Sequence, residues 1–195
     1  MIDFNKCRVA ASGNIISPKC RLSFPKLFVA EEFEPGDGKK FFSASLLIPP
    51  SADLDLLLKA TKQTAIEKFG EKLPPKLKSP FLKAEEVPSS ADFEGWTLMR
   101  VKSKAKPGIV DASGKNIEDE SDVYAGRWAC VSLRPYAYDH PKGGKGVSFD
   151  LQNVQLLDHD EVLGRGHARA ENEFEPVDMP ASGDGSKKSA DSVFG

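Results

Sequence analysis

Between Tyr124 and Leu157 the chain alternates apolar and polar residues with a period of two, which only an extended strand turns into two distinct faces. In Arg127–Tyr138, Ala129, Val131 and Leu133 point one way, and Trp128, Cys130, Ser132, Arg134, Tyr136 and Tyr138 point the other. After Asp-His-Pro-Lys-Gly-Gly-Lys-Gly at 139–146, the residues Val147, Phe149 and Leu151 return to the aliphatic side. This predicts two strands joined by a Gly/Lys loop with Lys142 and Lys145 at its tip. One face is core; the other carries aromatics and arginine.

The rest of the chain repeats the theme in shorter units. Arg21–Phe28 alternates around Leu22 and Phe24, and Pro25, with no N–H to donate, predicts an edge or a bulge. Phe41–Ile48 sets Phe42, Ala44, Leu46 and Ile48 against Phe41, Ser43, Ser45 and Leu47, and Pro49-Pro50 ends it. Trp96–Lys104 sets Thr97, Met99 and Val101 against Trp96, Leu98, Arg100, Lys102 and Lys104. Short strands are expected near Val9, Ile109–Val110 and Lys115–Ile117. A single helix is expected over about 51–69, with Ser51 as its N-cap, Asp53 and Asp55 near its positive end and Gly70 as its C-cap. Leu54, Leu57, Leu58, Thr61, Ala65 and Phe69 form its apolar stripe. The Pro- and Lys-rich stretch at 73–83 reads as a connector. Its lysines, among them Lys76 and Lys78, face either solvent or a ligand.

This pattern predicts a mainly β fold: an OB-like, partly open β-barrel with one prominent helix. Apolar density collapses after Leu157, and 176–195 is small, polar and Gly/Ser-rich. The expected organisation is one domain over 1–157 and a flexible, disordered acidic tail over 158–195. The formal charge of −2 hides a split. From 158 onward nine acids stand against four bases, so the body is mildly basic. A basic body suggests a polyanion partner.

Several classes are disfavoured. No apolar run approaches a membrane span, and the first residues lack the layout of a signal peptide, so a cytoplasmic protein is expected. Cys7, Cys20 and Cys130 have no CxxC spacing and read as reduced, buried or semi-buried thiols rather than a zinc site. Gly144-Lys145 lacks the glycine and the Ser/Thr of a phosphate loop, since Asp139 and Gly146 stand at those positions. No catalytic motif, cofactor site or metal site is expected. A metal-dependent nuclease using Asp139 and Asp150 is a minor alternative, and a protein-binding adaptor is another.

Cations supply sequence-blind attraction to phosphate, and aromatic rings stack on any base at ~1–3 kcal/mol each. Two strands carry both. The candidate DNA-binding residues are Trp96, Arg100, Lys102 and Lys104 on one, Trp128, Arg134, Tyr136 and Tyr138 on the other, with Lys142 and Lys145 from the loop. Each tryptophan has a second reading, as an anchor of the core.

Gly126-Arg127-Trp128, Arg134-Pro135-Tyr136-Ala137-Tyr138, Lys145–Phe149 and Leu151–Gln155 resemble a family of bacteriophage-encoded single-stranded-DNA-binding proteins, as do the Phe41–Pro50 strand and the helix after it. The resemblance spans 1–157. It implies an OB fold, non-specific binding of single-stranded DNA without catalysis, and a role in phage replication or recombination within the infected host. It also implies that an acidic tail closing on an aromatic residue recruits replication or recombination proteins. Asp191 and Phe194 are the matching positions here, although Gly195 follows and Lys187-Lys188 interrupt the acids. A homodimer is open.

Overall fold

The computed structural model describes residues 2–32, 38–141 and 143–164. The described residues form nine strands: β1 (Arg8–Val9), β2 (Ile15–Ile16), β3 (Cys20–Glu32), β4 (Lys40–Ile48), β5 (Leu82–Lys83), β6 (Thr97–Ser103), β7 (Gly108–Val110), β8 (Trp128–His140) and β9 (Gly144–Leu156). Among the described residues one α-helix, α1 (Asp55–Phe69), lies between β4 and β5.

Five strands close on themselves. β3 pairs with β4, β4 with β6, β6 with β9 and β9 with β8, and β8 returns to β3. All these pairings are antiparallel except β6–β9. This ring with one helix is the OB-like architecture that the alternation predicts. β1 and β2 extend it from β8, β7 from β9, and β5 lies beside β6.

Closure gives every ring strand an inside and an outside. Leu22, Leu46, Met99, Val131, Leu133, Phe149 and Leu151 point inward and are almost fully buried. They belong to one core cluster, onto which Leu57 of α1 also packs. Apolar burial of this kind is worth roughly 1.5–3 kcal/mol per large side chain and dominates the fold.

α1 begins later than its sequence pattern predicts. Ser51 does not cap it: Leu54 occupies the N-cap position, and the Asp53 carboxylate accepts the N–H of Asp55 at 2.9 Å. The preceding backbone is committed elsewhere, because Asp53 bridges Lys6 and its N–H donates to the Asn5 carbonyl at 2.8 Å. Gly70 ends the helix as expected, its N–H donating to Ile66. The helix packs on β8 and β9. Leu57 and Ala65 are buried, but Leu58 is half exposed, so the buried stripe is narrower than the spacing implies.

The β3–β4 register shifts between Ser23 and Lys26, as Pro25 predicts. Phe24 takes a positive φ of 46° at this bulge and projects into solvent. The β8–β9 hairpin is longer than expected. Its strands run to His140 and from Gly144, so most of 139–146 is strand rather than loop. The 73–83 connector also contributes structure: β5 pairs with Thr97–Leu98, and Lys78 bridges Gly146.

Candidate nucleic-acid interface

The register of the ring brings four strands into line on its outer face. Ser43 of β4 is opposite Lys102 of β6, Lys102 opposite Asp150 of β9, and Asp150 opposite Arg134 of β8. Two residues along from Arg134, Tyr136 faces Ser148, and beyond it Tyr138 faces Gly146. Two adjoining hollows of about 480 and 450 Å³ open over these rows. Phe41, Lys102 and Tyr136 line both, so they form one continuous groove. Arg134, Lys104 and Asp150 lie toward one end; Arg100, Tyr138, Lys39, Lys78 and His140 lie toward the other.

Six of the sequence-predicted residues therefore gather here: Arg100, Lys102, Lys104, Arg134, Tyr136 and Tyr138. The groove adds Phe41, whose signal was its place on the serine side of an alternating strand. Lys102 Nζ sits 4.6 Å from the Phe41 ring centroid. This contact spans β6 and β4 and holds a cation over a partly exposed aromatic ring. Tyr136 and Tyr138 lie 6.4 Å apart, with ring planes inclined by 51°. The Tyr138 phenol is pushed above its ordinary pKa by partial burial and then by Tyr136, so it remains a neutral hydroxyl at physiological pH. Lys39 and His140 reach the groove from the β3–β4 and β8–β9 hairpins that flank β6, and Lys78 reaches it from the 73–83 connector, where it bridges Gly146.

Lys145 is placed differently. It shares the parity of Val147 and Phe149, pairs with Asp139 at 3.2 Å and lies 5.7 Å from the Phe69 ring centroid of α1. The strand alternation puts Asp139 on the face of β8 opposite Asp150's row, so the two carboxylates considered for a metal are not brought together. Lys142 lies outside the described residues, as do Asp191 and Phe194.

Trp96 and Trp128 sit away from the groove. Their ring centroids are 6.2 Å apart, and Trp96 packs edge-on to Phe93 at 5.1 Å in a second cluster around Leu47, Ala84 and Leu98. Trp128 lies six residues, about 20 Å of strand, from Arg134. Lys19 Nζ lies over its ring at 4.7 Å, and its Nε1 donates to Asp160 at 2.7 Å. Residues 158–164 form a strap across this end. Lys19 pairs with Asp158, Arg21 donates to the Glu161 carbonyl at 2.6 Å, and Leu163 donates to Ala125 at 2.8 Å. Arg127, nearly buried, contacts His159 and donates to the Leu157 carbonyl at 2.9 Å. The strap crosses directly over Gly126, where a Cβ would come within 2.2 Å of the Glu161 oxygen. Both tryptophans are partly exposed members of this packed cluster.

Among the described residues no group of His, Cys, Asp and Glu is gathered to hold a metal. No helix among them is long and apolar enough to cross a membrane. Cys20 and Cys130 are buried free thiols, and burial pushes the Cys7 thiol up to about 11.

A five-strand ring with a basic, aromatic outer groove is the architecture of single-strand nucleic-acid binders. The chain belongs to the family of the ssDNA-binding protein of Enterobacter phage Enc34, whose model matches residues 13–185. Among solved structures, the single-stranded DNA-binding protein from bacteriophage Enc34 in complex with ssDNA is similar with a TM-score of 0.71. It is 20% identical, and the match covers 84% of this chain and 96% of that one. gp2.5, a single-stranded DNA-binding protein encoded by bacteriophage T7, is similar with a TM-score of 0.53 and 20% identity over 86% of this chain and 97% of that one. A search of curated proteins gives no match.

Proposed function

We propose that this chain binds single-stranded DNA in the groove between the β3–β4 and β8–β9 hairpins and covers it during phage replication or recombination, without cleaving it. The observation that carries this reading is the outer-face array of Phe41, Tyr136 and Tyr138 among Arg100, Lys102, Lys104 and Arg134. Phosphates lie along the cations, and bases stack on the rings, which tolerate any sequence. The exposed rings suit a single strand with unstacked bases, because they need base faces that a duplex keeps stacked.

The site of action in this reading is the cytoplasm of the infected host. Recruitment of other proteins through Asp191 and Phe194 stays a proposal, and so does dimerisation. Fluorescence anisotropy of labelled oligo-dT tests the main reading. Affinity is expected to fall as salt rises and to exceed that for a duplex of equal length. Equal or tighter duplex binding, or none to either, would remove it.

A further inference from the structure

Asp150 is out of place in a groove for a polyanion. It stands between Lys102 and Arg134 in the outer-face row and lines the hollow shared by Phe41 and Tyr136. A carboxylate there repels phosphate and weakens backbone binding. An ionised carboxylate is also acceptor-only, so a ligand can satisfy it only with a donor. The DNA backbone has no donor, because phosphate oxygens accept and deoxyribose lacks a 2′-hydroxyl. The only N–H groups of single-stranded DNA are on the base edges, which are exposed once the strands part.

The geometry places such an edge within reach. Tyr136 is the diagonal neighbour of Asp150 across β8 and β9, a separation of about 7–8 Å that long or flat groups span. A base stacked on Tyr136 therefore directs an edge toward the carboxylate. Gln152 Nε2 donates to Asp150 Oδ2 at 2.6 Å and orients the group. Two oxygens side by side match two adjacent donors, and guanine is the base that presents them, at N1 and at its exocyclic amino group.

Resting on the proposed DNA-binding role of the groove, we infer that Asp150 is a specificity-determining residue. It accepts hydrogen bonds from the Watson–Crick edge of guanine and superimposes a modest guanine preference on otherwise sequence-tolerant binding.

The test compares an alternating d(TG) oligomer with the d(TI) oligomer of equal length, in which inosine lacks only the exocyclic amino group. Lithium buffer suppresses four-stranded guanine assemblies. The full chain is expected to bind d(TG) about tenfold more tightly, the low end of what one charge-assisted hydrogen bond contributes. Asp150→Asn, close in shape, is expected to bring that ratio toward one, and Asp150→Val to abolish it. A ratio near one in the native chain overturns the inference. So does an unchanged ratio in Asp150→Asn, or an equal rise in affinity for both oligomers, which marks an acid that only repels phosphate. In each of those cases DNA binding itself stands; failure to bind either oligomer overturns the groove assignment as well.

Discussion

Tyr138 lies flat across Gly146, its cross-strand partner on β9: a Cβ at position 146 would come within 2.4 Å of the phenolic oxygen and 2.6 Å of the ring carbon that bears it. The glycine gives the ring a seat on bare backbone, and the ring shields a strand segment that has no side chain. Gly146→Ala is expected to lift Tyr138 from this position while leaving the strand pairing intact. Oligo-dT affinity should fall by about the ~1–3 kcal/mol of one stacked base, close to the loss in Tyr138→Ala. Anisotropy titrations of the two single variants and the double variant check this. Additive losses would show that the glycine and the ring act separately.

Arg134 projects from β8 beside Asp150 and is exposed at one end of the groove. Replacing it with alanine should weaken binding at low salt and lower the steepness of the salt dependence by about 0.7 for one lost phosphate contact on a single strand. Tyr136→Ala, by contrast, should lower affinity and leave the slope unchanged. Log–log plots of affinity against salt separate the two effects.

The strap should respond to acid. Asp158 is held below its ordinary value of 3.8 by the hydrogen bond from Lys19, and Asp160 by the N–H of Glu161 and then by Trp128. Both folded-state values are depressed, so their contribution to docking is fully present above that ordinary value and is lost as the pH falls through the lower folded values. In a Trp96→Phe variant, where Trp128 is the sole indole, its emission should change only below about pH 4. Asp160→Asn should shift that midpoint. A midpoint near neutral pH would contradict the prediction.

Phe149 is fully buried in the ring and meets Phe81 at a centroid distance of 6.3 Å. Phe149→Ala should cost about 3–5 kcal/mol in chemical denaturation, because the ring closes around it and collapses only partly. Leu58→Ala, on the exposed side of α1, should cost well under half of that.

Much of this molecule can be read from local sequence. Period-two alternation determines which residues of β4, β6 and β8 face inward, and it separates Arg134, Tyr136 and Tyr138 from Leu133. Parity is a property of the extended backbone, so it needs no knowledge of neighbours. Pro25 marks its bulge, and Gly70 its helix end, for equally local reasons. What parity does not contain is position along a face and around the ring. Trp96 and Arg100 share a side of one strand, yet Trp96 is drawn into a cluster with Phe93 and Trp128 while Arg100 borders the groove. Lys145 sits beside Gly146 but turns to Phe69. The start of α1 moved because Asp53 is used by the distant Asn5–Lys6 backbone. These outcomes follow from which strands pair and in what register, and ring closure fixes that through contacts far apart in the chain. The sequence alone determined the alternating strands and their aromatic, cationic faces. Only the tertiary structure decided that Phe41, Lys102, Asp150 and Arg134 would share one groove, because each reaches it from a different strand.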